Sequence, residues 1–260
     1  MAKTLVHFNF KGGVGKTSIS TLSSYLLAER KKKTLLIDLD PQSNATEIVK
    51  ETFKNLPDPK TSFYEGLLKL DLSDSIVSAT DYLDVIPADW SLSLWSSKVE
   101  SYKERDRNLI LKNLIARFKQ DYDYIIIDVP PTLSVFTNNA ILACDYISLI
   151  LQTQRQAYTS VLKTAEYLNQ LRDDYSASFK LVGVILYLVK KNARVDKIIS
   201  ETAKDSFGEA VFANTIQTRE RVKAFSNDGI KNKDMWDKQV LKMYGFVLNE
   251  ELTRIKELGD

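Results

Sequence analysis

The sequence predicts an α/β fold: a single domain over residues 1–260, with a mostly parallel central sheet and helices on both faces. Three observations point there. Short apolar runs alternate with amphipathic helical segments, the signature of βαβ units. The clearest runs are apolar on both faces, as strands inside a parallel sheet must be. A glycine-rich loop lies between the first strand and the first helix, where backbone N–H groups can face an anion.

The elements follow in order. Thr4-Leu5-Val6-His7-Phe8-Asn9-Phe10 is rich in β-branched and aromatic residues and stops at glycines, so it predicts a strand. Ile19, Leu22, Leu26 and Leu27 fall at helical spacing, predicting a helix over 16–30. A second buried strand, 34–38, runs into Asp38-Leu39-Asp40-Pro41, where the proline removes a donor and ends it. Residues 63–70 read as a short helix, 82–87 as a strand, and 92–119 as mostly helical. Tyr124-Ile125-Ile126-Ile127-Asp128 is the clearest strand of the chain. Further strands are expected at 146–151, 181–188 and 210–215, with helices between them and a last one over 237–258.

Composition narrows the function classes. With 44% hydrophobic and 27% charged residues, the chain has the balance of a soluble domain with a sizeable core. The one cysteine, Cys144, excludes an intrachain disulfide framework, and no Cys/His cluster is available for zinc or iron–sulfur. The first residues carry no apolar leader, and the longest apolar run, Leu181 to Val189, is too short to cross a bilayer as a helix. A cytoplasmic protein is expected. Net charge is +2, but residues 180–242 hold 13 Lys and Arg against 8 Asp and Glu, leaving the rest of the chain acidic. Such asymmetry fits either solvated helix faces or a polyanion partner.

Lys11-Gly12-Gly13-Val14-Gly15-Lys16-Thr17-Ser18 carries the chemistry. Glycines let the backbone approach phosphate oxygens without a Cβ in the way. The following helix adds its dipole and unpaired donors. Lys16 places a charge toward the β- and γ-phosphates, and the Thr17 hydroxyl suits Mg2+. The usual G-x-x-x-x-G-K-[ST] pattern is not met, because Phe10 stands at its first glycine; a second lysine, Lys11, is present instead.

This loop resembles the deviant Walker A box of the ParA/MinD group of P-loop NTPases. In that group the first lysine reaches across a dimer interface to the partner's nucleotide, so the resemblance implies that Lys11 does so here. Asp38 to Thr46, D-L-D-P-Q-S-N-A-T, is similar to the family's switch I, which implies that Asp40 positions or activates the attacking water and contacts the Mg2+ shell. Asp38 is expected to support the strand end. Ile125 to Leu133, I-I-I-D-V-P-P-T-L, resembles its Walker B and switch II, with Asp128 holding Mg2+. Both acidic strand ends belong beside the loop, since ligands of open parallel sheets gather at the carboxyl ends of strands. The chemistry implied is ATP hydrolysis by positioning and charge neutralisation, slow until a dimer completes the site.

The resemblance extends along essentially the whole chain and is strongest to the short ParA form, which lacks an N-terminal helix-turn-helix. It implies an ATP-dependent homodimer that binds DNA non-specifically, sits on the nucleoid and partitions a plasmid or chromosome with a ParB-like centromere-binding partner. The candidate DNA contacts are Lys190, Lys191, Arg194, Arg219, Arg221 and Lys223. A ParA-like positioner of another cargo is an alternative. A MinD-type membrane cycle is disfavoured because the last helix carries Glu250, Glu251, Glu257 and Asp260 where a membrane-surface helix would be basic. An electron-transferring reductase would need cysteine ligands. His7, the only histidine, and Cys144 are expected in the core, and Trp90, Trp95 and Trp236 are too scattered to form a stacking platform.

Overall fold

The computed structural model describes residues 1–190 and 193–259. Eight strands form one sheet: β1 (Lys3–Phe8), β2 (Thr34–Asp38), β3 (Val77–Thr80), β4 (Leu83–Ile86), β5 (Tyr124–Asp128), β6 (Tyr146–Gln152), β7 (Lys180–Val189) and β8 (Ile216–Gln217). Their order is β3-β4-β2-β5-β1-β6-β7-β8. All neighbours are parallel except β3, which runs against β4. From β1 the chain crosses one way to β2, and from β5 it crosses back over β1 to β6. That reversal opens a crevice at the carboxyl ends of β1 and β5.

Among the described residues, eleven α-helices lie between and after the strands. They are α1 (Lys16–Glu29), α2 (Asn44–Thr52), α3 (Phe63–Lys69), α4 (Trp95–Lys98), α5 (Glu104–Asn108), α6 (Ile110–Ile115), α7 (Val135–Ala143), α8 (Arg155–Tyr175), α9 (Arg194–Phe207), α10 (Glu220–Asp228) and α11 (Met235–Gly259). Helices α1, α2, α10 and α11 pack on one another over one face; α5 with α6 and α7, and α8 with α9, cover the other. Leu35, Leu36, Ile37, Ile125, Ile126 and Ile127 are wholly buried between these layers. Each aliphatic side chain so enclosed contributes about 1.5–3 kcal/mol from removal of apolar surface.

β2 and β5 have the expected bounds. β1 stops two residues earlier than expected because Asn9 takes over the hydrogen bonding: its amide donates to the Ile150 carbonyl at 2.8 Å and accepts from Lys11 N–H at 2.9 Å. The strand expected at 210–215 is not formed. The Glu250 carboxylate accepts from the Ala213 and Asn214 N–H groups at 2.8 Å each, so these donors are satisfied by a side chain, and the strand begins at Ile216. A single isolated bridge, Val211 opposite Val184, remains, with the Phe212 N–H donating to the Val184 carbonyl at 2.9 Å. Residues 92–119 form short pieces, α4, α5 and α6, rather than long helices. β3 had no sequence signal, being four residues with Ser78 and Thr80 among them. No described helix is long and apolar enough to cross a membrane.

Candidate nucleotide and metal site

The loop between β1 and α1 is built by its glycines. Gly13 and Gly15 have φ of 74° and 98°, in the left-handed region that glycine adopts without strain. A Cβ on Gly15 would fall 2.2 Å from the Tyr187 ring, so that ring lies directly on the loop. α1 starts at Lys16 with no side-chain cap and no acidic residue in its first turn. Its N-terminal donors are therefore left for an anion.

Lys16 is buried, its Nζ donating to the Lys11 carbonyl oxygen at 3.3 Å. Burial lowers its pKa, and the charges of Asp128 and Asp40 partly oppose that shift. The Lys11 side chain goes the other way, donating to Gln154 Oε1 at 2.8 Å on the surface.

The two acidic strand ends lie side by side, Asp38 opposite Asp128 in the β2–β5 register, and both are fully buried. Asp38 is saturated: it accepts from the Thr46 N–H at 2.8 Å, the Thr46 hydroxyl at 2.7 Å and the Asp40 N–H at 3.2 Å. Asp128 has no aligned donor on either oxygen. The Thr17 and Ser20 hydroxyls and Lys16 stand near enough to restrain its pKa, which burial nonetheless pushes up to about 6. Asp38 is pushed up to about 7, first by burial and then by the charge of Asp128. Asp40 is also buried, and its Oδ1 accepts from Gln42 N–H at 2.9 Å.

Gly12, Gly13, Gly15, Lys16, Thr17, Ser18 and Asp40 line one cavity of about 490 Å3; Lys11 does not. Tyr187, Leu188, Val222, Lys223, Ser226 and Asn227 close its far side. None of that wall but Lys223 was singled out from sequence. Leu188 carries a signal visible only in the backbone, a φ of 55° at a non-glycine position. A larger groove of about 780 Å3 between β8 and α11, lined by Gln217, Trp236 and Phe246, holds none of the loop or strand-end residues.

A family model described as "AAA domain" matches residues 2–181. The sporulation initiation inhibitor protein Soj of Bacillus subtilis is 31% identical over 88% of this chain and 89% of its own length. The chain belongs to the ParA/Soj family of ATPases. The chromosome-partitioning ATPase Soj of Treponema pallidum is 29% identical over 84% of each chain. A putative plasmid partition protein of Borrelia burgdorferi, solved with AMPPNP, superposes with a TM-score of 0.79 at 26% identity, covering 97% of this chain and 99% of that one.

Against this ParA/Soj background, the basic candidates separate. Lys190, Arg194 and Arg219 are exposed. Lys190 and Arg219 follow the paired ends of β7 and β8, so they leave the sheet at the same edge. Arg221 is held by Asp234 and, at 3.0 Å, by Asp237, which commits its charge within the fold. Lys223 lies 3.5 Å from Glu220 and lines the nucleotide cavity. Lys191 lies outside the described residues. Glu251, counted from sequence among the acidic groups of the last helix, is buried instead, and α11 docks on α1, β7 and α10.

Proposed function

We propose that this protein is a Mg2+-dependent ATPase that dimerises on ATP, binds DNA without reading its sequence, and partitions a plasmid or chromosome with a ParB-like partner. One observation carries the reading. Of two lysines in one phosphate loop, Lys16 enters the cavity and Lys11 leaves it, reaching only Gln154 on the surface. A second copy facing this loop would give Lys11 its anion.

The residues fit a magnesium nucleotide. The uncapped start of α1 and Lys16 suit phosphates. The Thr17 hydroxyl and the two unpartnered oxygens of Asp128 suit the Mg2+ shell. Among the described residues no cluster of three His, Cys, Asp or Glu could hold a metal alone, in keeping with Mg2+, which takes few protein ligands and keeps waters and phosphate oxygens. When bound, Mg2+ neutralises charge developing on the transferred phosphoryl group. Asp40 orients and polarises the attacking water from the cavity wall. Lys16 in one copy and Lys11 from the other offset the charge on the γ-phosphate. Lys190, Arg194 and Arg219 contact DNA phosphates from the sheet edge, giving a nucleoid-bound ATP state.

The test is DNA binding with ATP, ADP or no nucleotide across a salt series, for the native protein and Lys11→Ala. Binding is expected with ATP alone, falling steeply with salt, and is lost in the variant. Equal binding in all three nucleotide states would end the proposal. Asp40→Ala is expected to keep ATP-dependent dimerisation, read by light scattering, while losing hydrolysis by about 100-fold or more.

A further inference from the structure

The groove of about 780 Å3 between β8 and α11 shares no lining residue with the nucleotide cavity. One side of it is the edge of the sheet. Val211 bridges Val184, and the Thr218 N–H donates to the Val189 carbonyl, so the chain between them runs beside β7. No strand lies beyond it among the described residues. Successive N–H groups of a strand point to opposite edges, and the Gln217 N–H, facing outward, donates to the Met243 sulfur at 3.1 Å. A thioether is a weak acceptor on a flexible side chain, so this donor is held loosely. Farther back, Glu250 closes the same edge at Ala213 and Asn214.

The other side is apolar and open to water. Trp236, Val240, Met243 and Phe246 recur every three or four residues along the face of α11 that meets the groove. Trp236 is 56% and Phe246 49% exposed, although large aromatic rings gain most from burial. The charge around them is positive. Arg221 is taken by Asp234 and Asp237, and Glu220 lies against Lys223 at 3.5 Å. Arg219 and Lys242 line the groove with no acidic partner among the described residues. Lys242 Nζ stands 5.6 Å from the centre of the Phe246 ring, which joins the free cation to the apolar strip.

We infer that this groove takes an extended, acidic segment of a partner protein. Its backbone pairs with the outer edge of β8, accepting from Gln217 in place of the Met243 sulfur. Its apolar side chains lie along Trp236 and Phe246, and its carboxylates meet Arg219 and Lys242. Duplex DNA would match the two cations but offers phosphates, not apolar side chains, to the α11 strip. Arg219 is also one of the proposed DNA contacts, whereas Lys242 and the aromatic pair belong to the groove alone.

The probe is a random library of eight-residue peptides displayed on phage and selected against the 260-residue protein. Enriched sequences should alternate apolar residues with Asp or Glu, the pattern of a strand with one face buried. As free peptides they should lose about ten-fold or more in affinity against the Trp236→Ala, Phe246→Ala double variant. Lys242→Glu should cost about five-fold, a loss that shrinks as salt rises. These side chains are exposed, so the variants should melt with the native protein. N-methylation of one alternate set of peptide amides, but not of the other, should abolish binding, because only one set faces β8. No enrichment, enrichment of basic peptides, equal tolerance of both methylated sets, or binding indifferent to the variants overturns the inference. Loss of duplex DNA binding in the aromatic double variant would assign the groove to nucleic acid and overturn it as well. The peptide measurements need no nucleotide, so their failure is distinct from failure of the ATPase reading.

Discussion

Asp38 and Asp128 end adjacent strands, face each other in register and are equally buried, yet one accepts three hydrogen bonds and the other none. Burial is the largest cause raising the pKa of both, with a neighbouring carboxylate adding to it. The difference lies in what the fold provides. Asp38 organises the loop that carries Asp40, by binding the Asp40 and Thr46 N–H groups. Asp128 is given no aligned donor, only the Lys16 charge and the Thr17 and Ser20 hydroxyls nearby, and a buried carboxylate so weakly satisfied is costly enough that folding alone does not account for it. Saturation marks the structural acid, and vacancy marks the acid kept for a ligand.

The largest effect that would sharpen this contrast is on activity. Asp128→Asn is expected to lower ATP hydrolysis by about 100-fold or more, while the ligand-free variant melts at the same or a higher temperature, because a buried charge is gone. Lower thermal stability in calorimetry would erase the distinction. Asp38→Ala should do the reverse. It strands two N–H groups and a hydroxyl, for a loss of about 2–4 kcal/mol in denaturant unfolding. Any effect on hydrolysis would then act through the Asp40 loop.

The smallest effect is on pH dependence. Both carboxyls have folded pKa values above their unfolded values of about 4, so the folded state holds its protons more tightly. Ligand-free stability should be highest below about pH 4 from these two groups. It should decline as pH rises toward about 7, the value to which Asp38 is pushed. Asp128→Asn should flatten part of that slope in a melting series, and an unchanged slope would mean that Asp128 titrates normally.

The centre of the molecule was legible in the sequence because local pattern and tertiary role agree there. Five consecutive strand residues ending in Asp, twice, gave bounds that match β2 and β5. The phosphate loop was legible because its glycines and lysines do their work within eight residues. The C-terminal third was harder to read. Glu250 claims N–H groups 36 and 37 residues away and so removes a strand. Glu251 reaches His7 across 244 residues, which no periodicity can indicate. The far cavity wall, Tyr187 and Leu188, closes on the loop only because β7 and its bent end are placed there by the sheet.

The contact of Tyr187 with Gly15 links the histories of these two positions. The ring occupies the space a methyl group would need, and its hydroxyl lies 3.3 Å from that of Tyr244 on α11. A relative that exchanged the ring for a small side chain would open a gap above the loop, and the vacancy would be inherited by the helix behind it. Aromatic identity at 187 is therefore expected to co-vary with position 244 across lineages, so that divergence in one tyrosine predicts divergence in the other.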